Sequence, residues 1–113
     1  MTVRLSTKLW IDAHLRTCFG ADMPSFVVAK GDAERGGIIL KVNRFAAGVL
    51  VFEQSLDFEG NRIWRRLGTA EGQDESTADA LIARKRSFDP DLWVIEIEDN
   101  GEKYEPDAPI SEY

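Results

Sequence analysis

The sequence predicts an α+β domain: a four- to five-stranded, mostly antiparallel meander sheet with two helices packed on one face. Three observations predict it. Apolar residues recur at helical spacing in two segments, residues 8–19 and 76–86. Between these segments, short apolar runs of period two are cut by Gly, Asp and Asn. The turns after residues 45 and 55 are short enough to join neighbouring antiparallel strands.

In the first helix, Ile11, Leu15, Cys18 and Phe19 share one stripe, with His14 at its edge. Ser6 or Thr7 caps its start, Gly20 suits a left-handed residue at its end, and Pro24 blocks any continuation. Four strands are expected at residues 25–30, 38–45, 49–55 and 62–67, with GDAERGG at residues 31–37 as a hairpin connection. Residues 2–5 can add an edge strand. The second helix starts at Ser76-Thr77-Ala78-Asp79, an acidic capping box, and buries Ala78, Leu81 and Ile82. Arg84, Lys85 and Arg86 in its last turn offset the negative end of the helix dipole. In SFDPDLWVIEIED (residues 87–99), Asp89 precedes a proline and is pushed out of the helical region. Asp89-Pro90-Asp91-Leu92 suits a type I turn, and the alternation from Trp93 to Glu98 suits a half-buried strand.

The 113 residues fit one domain, read as a single globular unit at 1–99 followed by an acidic, mobile tail at 100–113. Net charge is −6, unevenly spread. Residues 1–70 carry 10 Lys/Arg against 7 Asp/Glu, and residues 71–113 carry 4 against 13. That acidic second part opposes non-specific binding to nucleic acid or anionic lipid. With one cysteine, no apolar h-region at the start and no apolar run long enough to span a bilayer, a cytoplasmic protein without membrane contact is expected.

Few constellations carry chemistry. His14 and Cys18 lie four apart on one helical face, but Cys18 sits near the helix C-terminus, where the dipole disfavours a thiolate. With no other His or Cys, a zinc site is not expected either. Residues 31–37 lack the Lys-Ser/Thr ending of a phosphate loop and precede a strand, and no GxSxG, HExxH, GxGxxG or CxxC pattern occurs. No catalytic residue, metal or cofactor is assigned, and the balance leans against an enzyme. Arg62, Trp64 and Arg66 point to one side of their strand. If Ile63 and Leu67 face the core, Trp64 lies on an open face between two guanidiniums, with Lys41 beside them from a neighbouring strand. The plainer alternative has these arginines over the indole and paired with Glu53, Glu96 or Glu98. Arg84, Asp89 and Asp91 form a second polar cluster.

Taken together, LWIDAHLR, VVAKGDAERGGIILKVN, G-N-R-x-W-R-R and RKRSFDPDLWVIEIED resemble a family of short bacterial proteins known only as a domain of unknown function, numbered 1491. The resemblance covers the chain up to about residue 99 and implies a small single-domain protein, with no catalytic residue to carry over. The reading that results is a non-enzymatic interaction module using the Arg/Trp face, with an unidentified protein partner and a homodimer through a sheet edge as a further option. The alternatives are a single-stranded nucleic-acid binder using the same face, which net charge disfavours, and a small-ligand enzyme built on Arg84, Asp89 and Asp91.

Overall fold

The computed structural model describes residues 5–111. Two helices, α1 (Thr7–Gly20) and α2 (Glu75–Phe88), join six strands: β1 (Ser25–Ala29), β2 (Ile38–Asn43), β3 (Val49–Leu56), β4 (Arg62–Leu67), β5 (Trp93–Glu98) and β6 (Ile110–Ser111). Helix α2 lies between β4 and β5 in the chain. Residues 2–4 of the expected edge strand lie outside the described residues.

Helix α1 forms much as its pattern requires. The Ser6 hydroxyl accepts from the Leu9 N–H at 3.2 Å, satisfying one of the free donors of the first turn. Ile11 and Cys18 are buried, whereas Phe19 is exposed at the margin of the stripe. The left-handed residue after the helix is Asp22 (φ 62°), two positions beyond Gly20.

The sheet order is β1-β5-β2-β3-β4-β6. Only β2, β3 and β4 form the expected antiparallel meander. Strand β5 inserts between β1 and β2, antiparallel to the first and parallel to the second. It is buried on both faces, as a central strand must be, because Trp93, Ile95 and Ile97 fill one side and Val94 the other. The loop after β1 is therefore no hairpin: it steps across the end of β5. Its glycines are required by that crossing, since a Cβ on Gly31 would lie 1.9 Å from the Asp91 carbonyl oxygen and one on Gly36 2.4 Å from it.

The two helices pack on opposite faces of the sheet, not on one. Trp10, Ile11 and Cys18 of α1 join Ile38, Leu40, Val42, Phe52, Trp64, Trp93, Ile95 and Ile97 in one core. Ala78 and Ile82 of α2 join Ile39, Val49, Val51, Leu92 and Val94 in the other. The physical reason lies in β2, β3 and β5. Their apolar residues occupy both parities, so each side of the sheet exposes hydrocarbon until something covers it.

Helix α2 begins two residues before the expected box. Its cap is Asp74, whose carboxylate accepts from the Thr77 N–H at 2.7 Å. At its other end Lys85 pairs with Glu53 at 3.3 Å, and Arg86 donates to the carbonyls of Lys30, Pro90 and Leu92, each at 3.0 Å. Lys85 thus ties α2 to β3 and Arg86 ties it to the loops at its end, while Arg84 is exposed. Asp89 closes the next turn as expected, accepting the Leu92 N–H at its carbonyl (3.2 Å) and the Asp91 N–H at its carboxylate (3.1 Å).

Packing continues past residue 99. Asp99 is buried, and its carboxylate accepts the N–H groups of Lys103 and Tyr104, both at 2.9 Å. Tyr104 and Ala108 then pack on the α1-face core, and β6 adds to the edge of β4 in parallel. The acidic segment expected as a tail is in this structure a strap that shares with α1 the covering of that face. Among the described residues no helix is long and apolar enough to cross a membrane.

Candidate functional site

Strand β4 does place Arg62, Trp64 and Arg66 on one side, as the alternation requires, but that side is the interior. Trp64 is 0% exposed, enclosed between Gln54 of β3, Ile110 of β6 and the ring of Trp10 at 5.6 Å. The expected open indole between two guanidiniums is therefore corrected. Ile63 and Leu67, taken to point inward, lie half-buried on the α2 side, because both faces of this sheet are core faces.

The centre of this face is the Asp107 carboxylate. Its Oδ1 accepts from Trp64 Nε1 at 3.0 Å, and its Oδ2 accepts from Trp10 Nε1 at 3.0 Å. The Arg62 guanidinium sits 3.1 Å from the same Oδ2 and stacks over the Trp10 ring, 5.2 Å from its centroid. Two indole donors and one cation thus converge on one carboxylate in a charge-assisted hydrogen-bonded cluster. The arginines' expected cross-strand partners Glu53, Glu96 and Glu98 do not serve Arg62; Asp107, from the distant strap, does.

Two further contacts hold the strap. The Trp64 N–H donates to the Pro109 carbonyl at 2.9 Å. The Tyr104 hydroxyl lies 2.7 Å from His14 Nε2, and His14 stacks on Trp10 with ring centroids 4.5 Å apart. Burial raises the Tyr104 hydroxyl above its usual range, so it is neutral and can donate to an unprotonated imidazole. Burial lowers the His14 pKa below 6.5, opposed by Asp107 and reinforced by Arg62. Folding thus disfavours the imidazolium. The contribution of His14 to stability is complete above about pH 6.5 and is lost as pH falls from there toward its folded-state value. The urea midpoint of the wild-type chain is expected to drop between about pH 7 and pH 5 by more than that of His14→Gln. Equal drops in the two proteins would contradict this placement.

Between the strap and the strands lies a concavity of about 500 Å³, floored by Val42, Leu50 and Phe52 and walled by Tyr104, Pro106 and Pro109. Arg66 lines it, its guanidinium 5.8 Å from the centroid of Phe52. Arg44 lies at its rim, donating to the carbonyls of Ala47, Gly48 and Glu71 and pairing with Glu102 at 3.3 Å.

Lys41 does not join this face. It points to the α2 side, in register with Glu96 of β5. Its Nζ lies 2.8 Å from Glu75, 2.8 Å from Asp79 and 3.3 Å from Glu96, with its own side chain only 6% exposed. Burial works against the ammonium, but the hydrogen bonds it donates to Asp79 and Glu75 and the charge of Glu96 outweigh it and hold the pKa above the usual lysine value. This is a clamp between sheet and helix. The second expected cluster is not assembled either: Asp89 and Asp91 share a turn, but the arginine that reaches it is Arg86, while Arg84 two residues earlier is exposed. None of the three lines the concavity beside the strap. Cys18 is buried, and burial raises its thiol pKa. Among the described residues no group of three or more His, Cys, Asp or Glu is placed to hold a metal ion.

Of the groups gathered here, His14 is marked in the sequence only as the neighbour of Cys18, and Trp10, Tyr104 and Asp107 belong to no motif that carries chemistry. The available signal was in the strap itself: a Tyr and an Ile among acids, with two prolines that favour extended backbone.

The fold and this face define a class: a small α+β protein with a mixed six-stranded sheet, a helix on each face, and an aromatic–arginine surface closed by its own C-terminal segment. The family model described as "Protein of unknown function (DUF1491)" matches residues 5–104, and the chain belongs to that family. A crystal structure of a DUF1491 family protein from Caulobacter crescentus CB15 is 30% identical, with a TM-score of 0.86 over 96% of this chain and 100% of that one. An NMR structure of a DUF1491 family protein from the same bacterium gives 30% identity and a TM-score of 0.84, covering 97% and 99%. The solution structure of protein Atu0922 from A. tumefaciens is 25% identical, with a TM-score of 0.73 over 85% of this chain and 86% of that one. No curated protein matches the chain.

Proposed function

We propose that this chain is a non-enzymatic protein-interaction module whose Trp10–Arg62–Trp64 face takes a carboxylate side chain from an extended acidic segment. One observation carries the reading: the Asp107 carboxylate is met by two indole N–H groups and a guanidinium, all within 3.1 Å. The adjoining β4 edge adds backbone pairing, the usual source of affinity when an extended peptide joins a sheet. The segment now seated there is the chain's own, so an outside peptide must compete with it. The nucleic-acid reading loses its support, because an enclosed Trp64 offers no surface on which a base can stack.

The test is a titration of a labelled peptide spanning residues 102–111 into the full chain. Asp107→Asn loosens the resident strap and is expected to bind the peptide roughly tenfold more tightly than wild type, and adding Arg62→Glu is expected to reverse the gain. Equal binding by a peptide carrying Asn in place of its Asp would remove the carboxylate from the account.

A further inference from the structure

Resting on that reading, we propose that the partner fitting this face is a second copy of the chain, the two copies exchanging residues 104–111 to form a symmetric dimer. Apart from the Tyr104 N–H on the Asp99 carboxylate, the contacts that seat the strap run to other elements: Tyr104 to α1, Asp107 to α1 and β4, and Pro109 and Ile110 to β4. Such contacts can be made unchanged by the identical segment of another copy, the defining condition for exchange. Charge complementarity accompanies them, since Asp107 of the strap faces Arg62 of the body.

The connection has the properties of a hinge. From Asp99 to Ile110 the chain can reach about 36 Å when extended, at about 3.3 Å per residue. The four strand spacings separating β5 from β6 require only about 19 Å. The strap is therefore not stretched taut across the sheet. Residues 100–103 are exposed, and Glu102 sits at φ 54°, a left-handed conformation unfavourable for a non-glycine residue. Straightening this bend gives up the Asp99 carboxylate's bonds to the Lys103 and Tyr104 N–H groups and relieves the strained residue, while the contacts of the strap with α1 and β4 are regained in the neighbouring copy. The wild-type chain is then a monomer at low concentration, where its own strap has the higher effective concentration, and a dimer at high concentration.

The experiment mixes two full-length variants and measures mass by light scattering. Asp107→Asn keeps the face but weakens the strap, and Arg62→Glu keeps the strap but weakens the face. Each alone is expected at 12.7 kDa, and an equal mixture is expected to contain a species of twice that mass. A mixture that stays at 12.7 kDa while Asp107→Asn still binds the 102–111 peptide overturns the exchange and leaves the binding reading standing. A mixture that stays monomeric with no peptide bound overturns both. Dimers of either variant alone would place the association on another surface and overturn the exchange. Should either variant fail to fold, Glu102→Gly in the otherwise unaltered chain decides the matter, at a concentration where the wild type is expected to dimerise. Removing the strain of the bend is expected to shift the population toward the single mass, and a wild type that stays monomeric, or a dimer fraction unchanged by the substitution, would overturn the proposal.

Discussion

Trp64→Ala is expected to lower the free energy of unfolding by about 4 kcal/mol, among the larger costs a single core truncation produces. The indole is 0% exposed, touches Trp10 and donates to Asp107, so its removal opens a cavity and takes one of three partners from the carboxylate that anchors the strap. For a domain whose total stability is about 5–15 kcal/mol, that loss is a large fraction. Trp64→Phe keeps most of the volume and loses mainly the hydrogen bond, for an expected cost of about 1–2 kcal/mol. Urea unfolding of the two variants checks the pair. A cost below about 1 kcal/mol for Trp64→Ala would mean an indole at the surface, the arrangement expected from sequence.

The second large effect is on the opposite face. Lys41→Met is expected to cost about 3 kcal/mol, because the Glu96 carboxylate, 12% exposed, is left facing the carboxylates of Glu75 and Asp79 without their common cation. Glu75 and Asp79 are themselves well exposed and lose less. The double variant Lys41→Met with Glu96→Leu removes the buried charge as well and is expected to recover more than half of the loss. The pH dependence follows from the raised pKa of Lys41. Its stabilisation is complete below the ordinary lysine value of about 10.4 and disappears only as pH rises through the folded-state value, so the deficit of Lys41→Met is flat across neutral pH. A deficit that vanished near pH 7, or a double variant no more stable than the single, would contradict the clamp.

Local structure was legible where it depends on neighbours in sequence. The Ser6 cap of α1, the β2–β3–β4 meander, the turn at Asp89 and the basic last turn of α2 all follow from residues a few positions apart. The partner of β5 was not legible, because insertion between β1 and β2 is a long-range choice that its alternation did not reveal. The error on Trp64 has one source. Assigning Ile63 and Leu67 to the core assumed a sheet with a single buried face, whereas Ile39 and Val94 demand cover as firmly as Leu40 and Ile95. The same assumption put Lys41 beside Arg62, when strand parity and a register against Glu96 place it across the sheet. Asp107 was hidden by composition, since an acidic, proline-containing segment without periodicity reads as a solvated tail. Its docking depends on two indoles 43 and 97 residues away in the chain.

The most direct test is hydrogen exchange of the three indole N–H groups, followed by nuclear magnetic resonance in the wild-type chain and in Asp107→Asn. Slow exchange is expected in the wild type for Trp10 and Trp64, which share Asp107, and also for Trp93, which donates to the Asp32 carbonyl at 2.8 Å. Asp107→Asn is expected to shift and accelerate the Trp10 and Trp64 signals together and to leave Trp93 unchanged. Indole protons of Trp10 and Trp64 that exchange as freely as those of an exposed tryptophan, or that ignore the substitution, would contradict the strapped face.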